Sequence, residues 1–305
     1  MTALADEIAD LANDSSRQLG IAIRVDQGYD TRVVTAAADQ PMMAASLAKL
    51  GIAAYVTHRV TIGAVHWEDV LVLTDGIKRR GTGVLYDFPA GTRLTLRRAF
   101  ELMLSVSDNT AANVVLAAVG SQRTVNTWLA LQGITQSGLA DRDDRLFMST
   151  TTTADQVLRV LDLLWATSPE AVAAMRRNHN PKGLRYSLAP PSWWSQRRLP
   201  AVKWLAARSG GRPRLLSALI WCAARLPANR IVANKDGALN HEGWRYRHDA
   251  GWITTATGDR ATVVVLTSFR SPEAPLPGIW RWFRVQRGWM IAAHIGRLVK
   301  RDLAA

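Results

Sequence analysis

The chain has 305 residues, 48% of them hydrophobic, which is enough to bury a sizeable core in one large domain or two closely joined lobes and excludes general disorder. Its single cysteine, Cys222, rules out an internal disulfide and a cysteine-rich metal centre, and its six histidines show no His-Glu-x-x-His spacing, so no cofactor or metal is expected. The formal charge of +13 has one source, because residues 171–235 hold thirteen Lys or Arg and no Asp or Glu.

In chain order, MTALADEIADLANDSS carries acids and no apolar run of signal-peptide length. No uninterrupted apolar stretch of about 18 residues occurs anywhere, so with Met1 as the start a soluble, cytoplasmic protein is expected. An amphipathic helix is predicted near 3–17. GIAIRVD and TRVVTAAA then flank the turn QGYD as a hairpin of β-branched residues. A helical region follows from about Ala44 to Gly120, interrupted by the glycine-rich RRGTGVLYDFPAGTRL, with Thr95 preceding an apolar-periodic helix through Leu104. Thr150 to Thr153 lead into ADQVLRVLDLLWA, whose Val157, Leu158, Leu161 and Leu164 form a buried stripe. Strands return only late, as RIVANKDG, HDAGWITTA and ATVVVLTSF, before a closing helix around 277–300.

The expected fold class is therefore α+β. One domain spans 1–305, with an antiparallel sheet from about 1–43 and 228–305, a helical lobe from about 44–227, and a cleft where they meet. A basic, tryptophan-rich insertion at about 181–221 carries Trp193, Trp194, Trp204 and Trp221, and RPRLLSALIWCAAR sets Leu215, Leu216, Leu219, Ile220 and Ala223 on one helical stripe. We read this segment as a cationic lid or a core-packed helix with solvated arginines. The alternative is docking of about 176–230 on an anionic membrane or an acidic partner. Nothing specifies nucleic acid as a partner.

Three short stretches carry chemistry. Ser46-Leu47-Ala48-Lys49 opens a predicted helix, and its three-residue separation puts Ser46 and Lys49 on one face, within reach of each other. A desolvated, neutral lysine there serves as general base, and the helix start offers backbone N–H groups to a nascent oxyanion. The same four residues also suit a serine cap followed by a solvated lysine. Ser107-Asp108-Asn109 lies between two helical patterns, where Ser107 or Asp108 serves as a cap. Alternatively, Ser107 relays a proton and Asn109 holds a substrate amide. Lys235-Asp236-Gly237 ends a predicted strand and also reads as a surface turn.

In this order, with Ser107 about sixty residues after Lys49 and Lys235 late on a strand, the three stretches resemble the signatures of class A β-lactamases and the related penicillin-recognising serine enzymes. The resemblance continues through SDNTAANVVL and RYRHDAGW and covers roughly 20–300. It implies a β-lactamase/transpeptidase-like fold and an acyl-enzyme mechanism on a small-molecule β-lactam or related amide or ester. In it Ser46 attacks, Lys49 accepts its proton, and the backbone N–H groups of Ser46 and Ala238 form the oxyanion hole. Ser107 and Lys235 deliver a proton to the leaving nitrogen, while Asn109, Asp236, Gly237 and Arg247 line the substrate side. Two other readings are an esterase, amidase or acyltransferase on a non-antibiotic metabolite, and a non-catalytic binding protein docking through its basic segment.

Three departures from the family pattern stand out. No Glu lies between Glu101 and Glu170, where class A enzymes carry a deacylating glutamate; Asp141, Asp143 and Asp144 are the acids present, in what reads as a solvated Asp-Arg turn. Asp236 occupies a place where the family has a Thr or Ser hydroxyl that binds the substrate carboxylate. Two carboxylates a few ångströms apart repel by about 4 kcal/mol at an effective dielectric of 20, unless Arg245, Arg247 or Lys235 supplies a cation. Without one, the substrate is expected to lack a carboxylate there or to bring a cation or hydrogen-bond donor. The third departure is the length of the basic insertion.

Overall fold

In the computed structural model, residues 3–13, 18–137, 139, 150–179, 183–184, 230–270 and 278–304 are described, with the backbone alone at 3, 230 and 278–287. Asp141, Asp143, Asp144 and nearly all of the basic insertion, including 212–225, lie outside the described residues.

The first elements are α1 (Ala3–Ala12) and the strands β1 (Gln18–Gln27) and β2 (Asp30–Ala36), followed by the short β3 (Met42–Met43). The helical lobe comprises α2 (Ala48–Thr61), the strand pair β4 (Val70–Val72) and β5 (Arg93–Thr95), α3 (Leu96–Ser105), α4 (Asn109–Val119), α5 (Gln122–Leu131), β6 (Thr151–Thr152), α6 (Ala154–Thr167) and α7 (Pro169–Arg176). The chain then returns as β7 (Arg230–His241), β8 (Trp244–Thr255), β9 (Arg260–Arg270) and α8 (Gly278–Asp302). The five long strands make one antiparallel sheet in the order β2-β1-β9-β8-β7, so the two strands from the start of the chain lie beside the three from its end, with none from the helical middle.

Strand periodicity explains how this sheet separates two cores. Ile21, Ile23 and Val25 of β1 and Val263 and Val265 of β9 project to one face, against Leu4 and Ile8 of α1 and Ile295, Leu298 and Val299 of α8. The alternate positions Ala22, Val264, Leu266, Ala250 and Trp252 project to the other face and join the core of the helical lobe. With both faces covered, β9 reads as the near-continuous apolar run VVVL rather than as an alternation. Gly288 lets α8 approach closely, since a Cβ there would stand 2.5 Å from that of Arg247.

Inside the lobe, α2 is buried on all sides from Ala48 through Thr57, which accounts for its weak amphipathicity. Side-chain caps set the helix starts around it: Thr95 accepts from Arg98 N, Asp108 from Ala111 N, Thr153 from Gln156 N and Ser168 from Ala171 N. The β4–β5 pair within the long helical region is an addition to the helical reading of 44–120. It forms where VLV meets RLT across the glycine-rich segment.

Candidate active site

The site is built where β7, the open edge of the sheet, meets the turn that starts α2 and the linker between α3 and α4. Ser46 sits half-buried in a single 3-10 turn, Ala45–Leu47, that runs directly into α2. Ala45 has φ +48° and Ser107 φ +57°, two of the four non-glycine residues with left-handed backbone among those described. That conformation is costly for an L side chain and concentrates at sites where geometry outweighs stability. The turn is held from both sides. His248 of β8 donates from Nε2 to Met43 O at 2.7 Å, because its Nδ1 already accepts from Thr267 N at 3.1 Å. Gly237 of β7 packs on Ala44 O and the backbone N of Leu47.

Lys49, one turn into the lobe, is fully buried and surrounded by oxygen. Its Nζ lies 2.7 Å from Ser107 O, 2.8 Å from Asn109 Oδ1, and 3.1 Å from both Ser46 Oγ and Ser107 Oγ. Burial, and next the nearby Lys235 ammonium, hold Lys49 well below the ordinary lysine range, against the opposing pull of Asp236 and Asp108. A neutral amine has two N–H groups and one lone pair. The two carbonyl-type oxygens accept only, so they take the N–H groups and leave the lone pair for a serine hydroxyl.

Ser107 Oγ also accepts from Lys235 Nζ at 2.9 Å, and therefore bridges the two buried lysines. Lys235 donates in addition to Asp236 O at 2.6 Å and stands 3.7 Å from Asp236 Oδ1. Its own pKa is lowered by burial and partly restored by Asp236 and Asp249. Asn178, just past α7, donates to Asn234 O at 2.9 Å and to Asp236 Oδ1 at 3.3 Å, fastening this edge of the sheet to the lobe.

The structure thus gathers Ser46, Lys49, Ser107, Asn109 and Lys235 into one hydrogen-bonded network, with Asp236 and Gly237 beside it and Ala238 exposed one residue further along β7. Arg247 is not brought to it. Paired with Ala238 in the ladder, it lies on the α8 face of the sheet, and its guanidinium donates to Leu239 O, Tyr246 O and Asn240 Oδ1. Among the described residues, Lys235 is a cation beside Asp236. The oxygen and the nitrogen of the Asn109 amide are both engaged, since Nδ2 donates to Arg80 O at 3.1 Å.

Sequence reasoning missed the strap that makes this last contact. Residues 79–85 cross over Ser107–Asn109: Asn109 N donates to Thr82 O, Thr82 Oγ1 to Ser107 O, and the N–H groups of Val84 and Leu85 to Asp108 Oδ2. Asp108 is thus both the cap of α4 and the anchor of the strap. The only signal in the sequence is Gly81-Thr82-Gly83, whose two glycines have positive φ. A small apolar cavity, lined by Leu47, Gly51, Leu129, Leu139, Val157 and Val160, backs the Ser46 turn, but neither Ser46 nor Lys49 opens into it.

This fold and site define a serine hydrolase. The model of the Beta-lactamase enzyme family matches residues 3–202, and the chain belongs to that family. It is 22% identical over 267 residues to Beta-lactamase VEB-1 from Pseudomonas aeruginosa, covering 86% of this chain and 81% of the relative. Among solved structures, TLA-3 extended-spectrum beta-lactamase superposes with a TM-score of 0.74 at 17% identity over 99% of each chain. A PBP-A mutant, solved as an acyl-enzyme complex with penicillin G, superposes with a TM-score of 0.72 at 17% identity, over 100% of this chain and 97% of that one.

Proposed function

We propose that the chain forms an acyl-enzyme at Ser46 with a β-lactam or a related amide or ester and then hydrolyses it. The observation that carries this reading is the pairing of Ser46 Oγ with a buried, oxygen-surrounded Lys49 Nζ 3.1 Å away. Lys49 takes the hydroxyl proton as Ser46 Oγ bonds to the acyl carbon, and the N–H groups of Ser46 and Ala238 receive the oxyanion. The carbonyl carbon then expels the leaving nitrogen or oxygen, which takes a proton handed across Ser107 between the two lysines. Water attacks the acyl-enzyme, releases the acid and restores the Ser46 hydroxyl. The penicillin acyl-enzyme of the like-folded PBP-A mutant supports this scheme.

The test is intact-mass measurement and turnover with a chromogenic cephalosporin and a fluorescent penicillin, for the wild type and Ser46→Ala. A mass adduct or turnover present in the wild type and lost in Ser46→Ala is the expected result. Absence of any Ser46-dependent adduct with lactams or simple esters would overturn the reading.

A further inference from the structure

His248 does not behave as an ordinary strand residue. The β8–β9 ladder runs from Trp244 opposite Arg270 to Tyr246 opposite Ser268 and resumes only at Asp249 opposite Val265, so Arg247 and His248 lie in a gap. The imidazole fills that gap. Thr267 N–H, which a closed ladder would give to Arg247 O, goes to His248 Nδ1 at 3.1 Å, and Thr267 Oγ1 donates to Arg247 O in its place. With Nδ1 accepting, the ring proton sits on Nε2 and is given to Met43 O at 2.7 Å. The fully buried ring thus carries the geometry of the sheet to a carbonyl three residues before Ser46.

Between Met43 and Ser46 stands Ala45 with φ +48°, a backbone state that persists for an L residue only where its surroundings over-determine it. Ala44 N gives this segment one anchor by donating to Thr150 O at 2.7 Å, and the His248–Met43 hydrogen bond gives it a second. Lys49 Nζ is located independently, by Ser107 O and Asn109 Oδ1 where α3 passes into α4. The 3.1 Å between Ser46 Oγ and Lys49 Nζ therefore depends on His248 at its serine end. We propose that His248 is a positioning residue for acylation: it fixes the Ala45–Leu47 turn so that Ser46 Oγ stays within hydrogen-bond reach of Lys49. It acts through Met43 rather than on the substrate. The inference rests on the acyl-enzyme reading and adds to it a residue from the middle of the sheet.

The test compares the rate of Ser46 adduct formation at saturating probe, read by intact mass with p-nitrophenyl acetate and a fluorescent penicillin, in the wild type, His248→Phe, His248→Gln and Ile23→Ala. Phe keeps a ring but loses both hydrogen bonds, Gln can restore part of them, and Ile23→Ala lowers stability from the α8-side core. His248→Phe is expected to slow labelling by about 100-fold or more, with Gln recovering about tenfold of that loss and Ile23→Ala labelling close to the wild-type rate. Long-range proton–nitrogen spectra at neutral pH, assigned by the signal missing in His248→Gln, are expected to show the Nε2–H tautomer. Should Phe fail to fold, this signature and the comparison of Gln with Ile23→Ala carry the test. An Nδ1–H tautomer, labelling of every folded His248 variant within about threefold of the wild type, or an equal loss in Ile23→Ala overturns the inference and leaves the acyl-enzyme reading in place. Absence of Ser46 labelling in the wild type with both probes overturns both.

Discussion

Lys49 has four oxygen neighbours and, once uncharged, only two N–H groups to satisfy them, so only the neutral amine has a lone pair to offer a serine hydroxyl. Because burial and Lys235 hold it below the ordinary lysine range, the acid limb of a rate–pH profile for acylation is expected well below that range. The rate rises with pH as the amine loses its proton. Lys49→Met, which keeps the length but has no lone pair to offer, is expected to slow acylation by about 10²–10⁴-fold. In Asp236→Asn the loss of an anion that favours the charged lysine moves the acid limb to lower pH still, measured with an uncharged ester. Asp108 acts differently. Its two oxygens accept three backbone N–H groups, so Asp108→Ala is expected to cost about 2–4 kcal/mol of stability, read from urea unfolding. At this scale the sequence was informative wherever chemistry follows local spacing. Ser46 and Lys49 are three apart on one turn, and Asp108 was legible as a cap. Arg247 was not legible, because the partner of a guanidinium is set by which face of the ladder it occupies, and Asn178 reaches residues more than fifty positions away.

Among the elements, β8 places His248 and Asp249 side by side but on opposite faces, and their titrations pull stability in opposite directions. Burial pushes His248 down to about 4, so the fold favours the neutral ring. The unfolded chain binds the extra proton, and stability from this residue, complete above about 6.5, is lost as pH falls through 4, by roughly 3 kcal/mol. Burial raises Asp249 to about 8, despite the hydrogen bonds it accepts from Asn234 and Leu184; its stabilisation is present below the unfolded value near 3.8 and lost as pH rises through 8. Urea midpoints are therefore expected to decline from pH 6.5 to 8. His248→Gln is expected to remove the acid-side loss between 6.5 and 4, together with part of the hold on Met43. The strap over Ser107–Asn109 is a second element with its own test. At Gly83, φ is +107° and a Cβ would lie 2.5 Å from Asp108 Cα, so Gly83→Ala is expected to lift the strap and impair acylation more than it lowers the thermal midpoint. Helices and strands were legible here from periodicity and caps. The strap and the β4–β5 pair were not, since a glycine-rich connection shows its route only once the two helices it crosses are in place.

For the whole molecule, the order of strand pair, helical lobe, strand trio and final helix was enough to foresee a sheet drawn from both ends of the chain, because the strand patterns occur only there. β1 pairs with β9 from Gln18 opposite Ser268 to Asp26 opposite Arg260, and Arg32 of β2 ties to Asp302 at the end of α8. These contacts join residues 234 to 270 positions apart. The same arrangement sets a timetable for the growing polypeptide. Ser46, Lys49 and Ser107 leave the ribosome long before Lys235, and β1 waits beside a partner that does not yet exist until β9 has been made. In refolding, helical signal is expected to appear first and Ser46 labelling only with the slower phase that closes the sheet, as stopped-flow circular dichroism and timed quenching of an ester probe can measure. A chain halted before its last strands holds a serine and a lysine but no Lys235 to join them through Ser107. On the acyl-enzyme reading, labelling of Ser46 is therefore expected only after synthesis and folding have both run to the far side of the sheet.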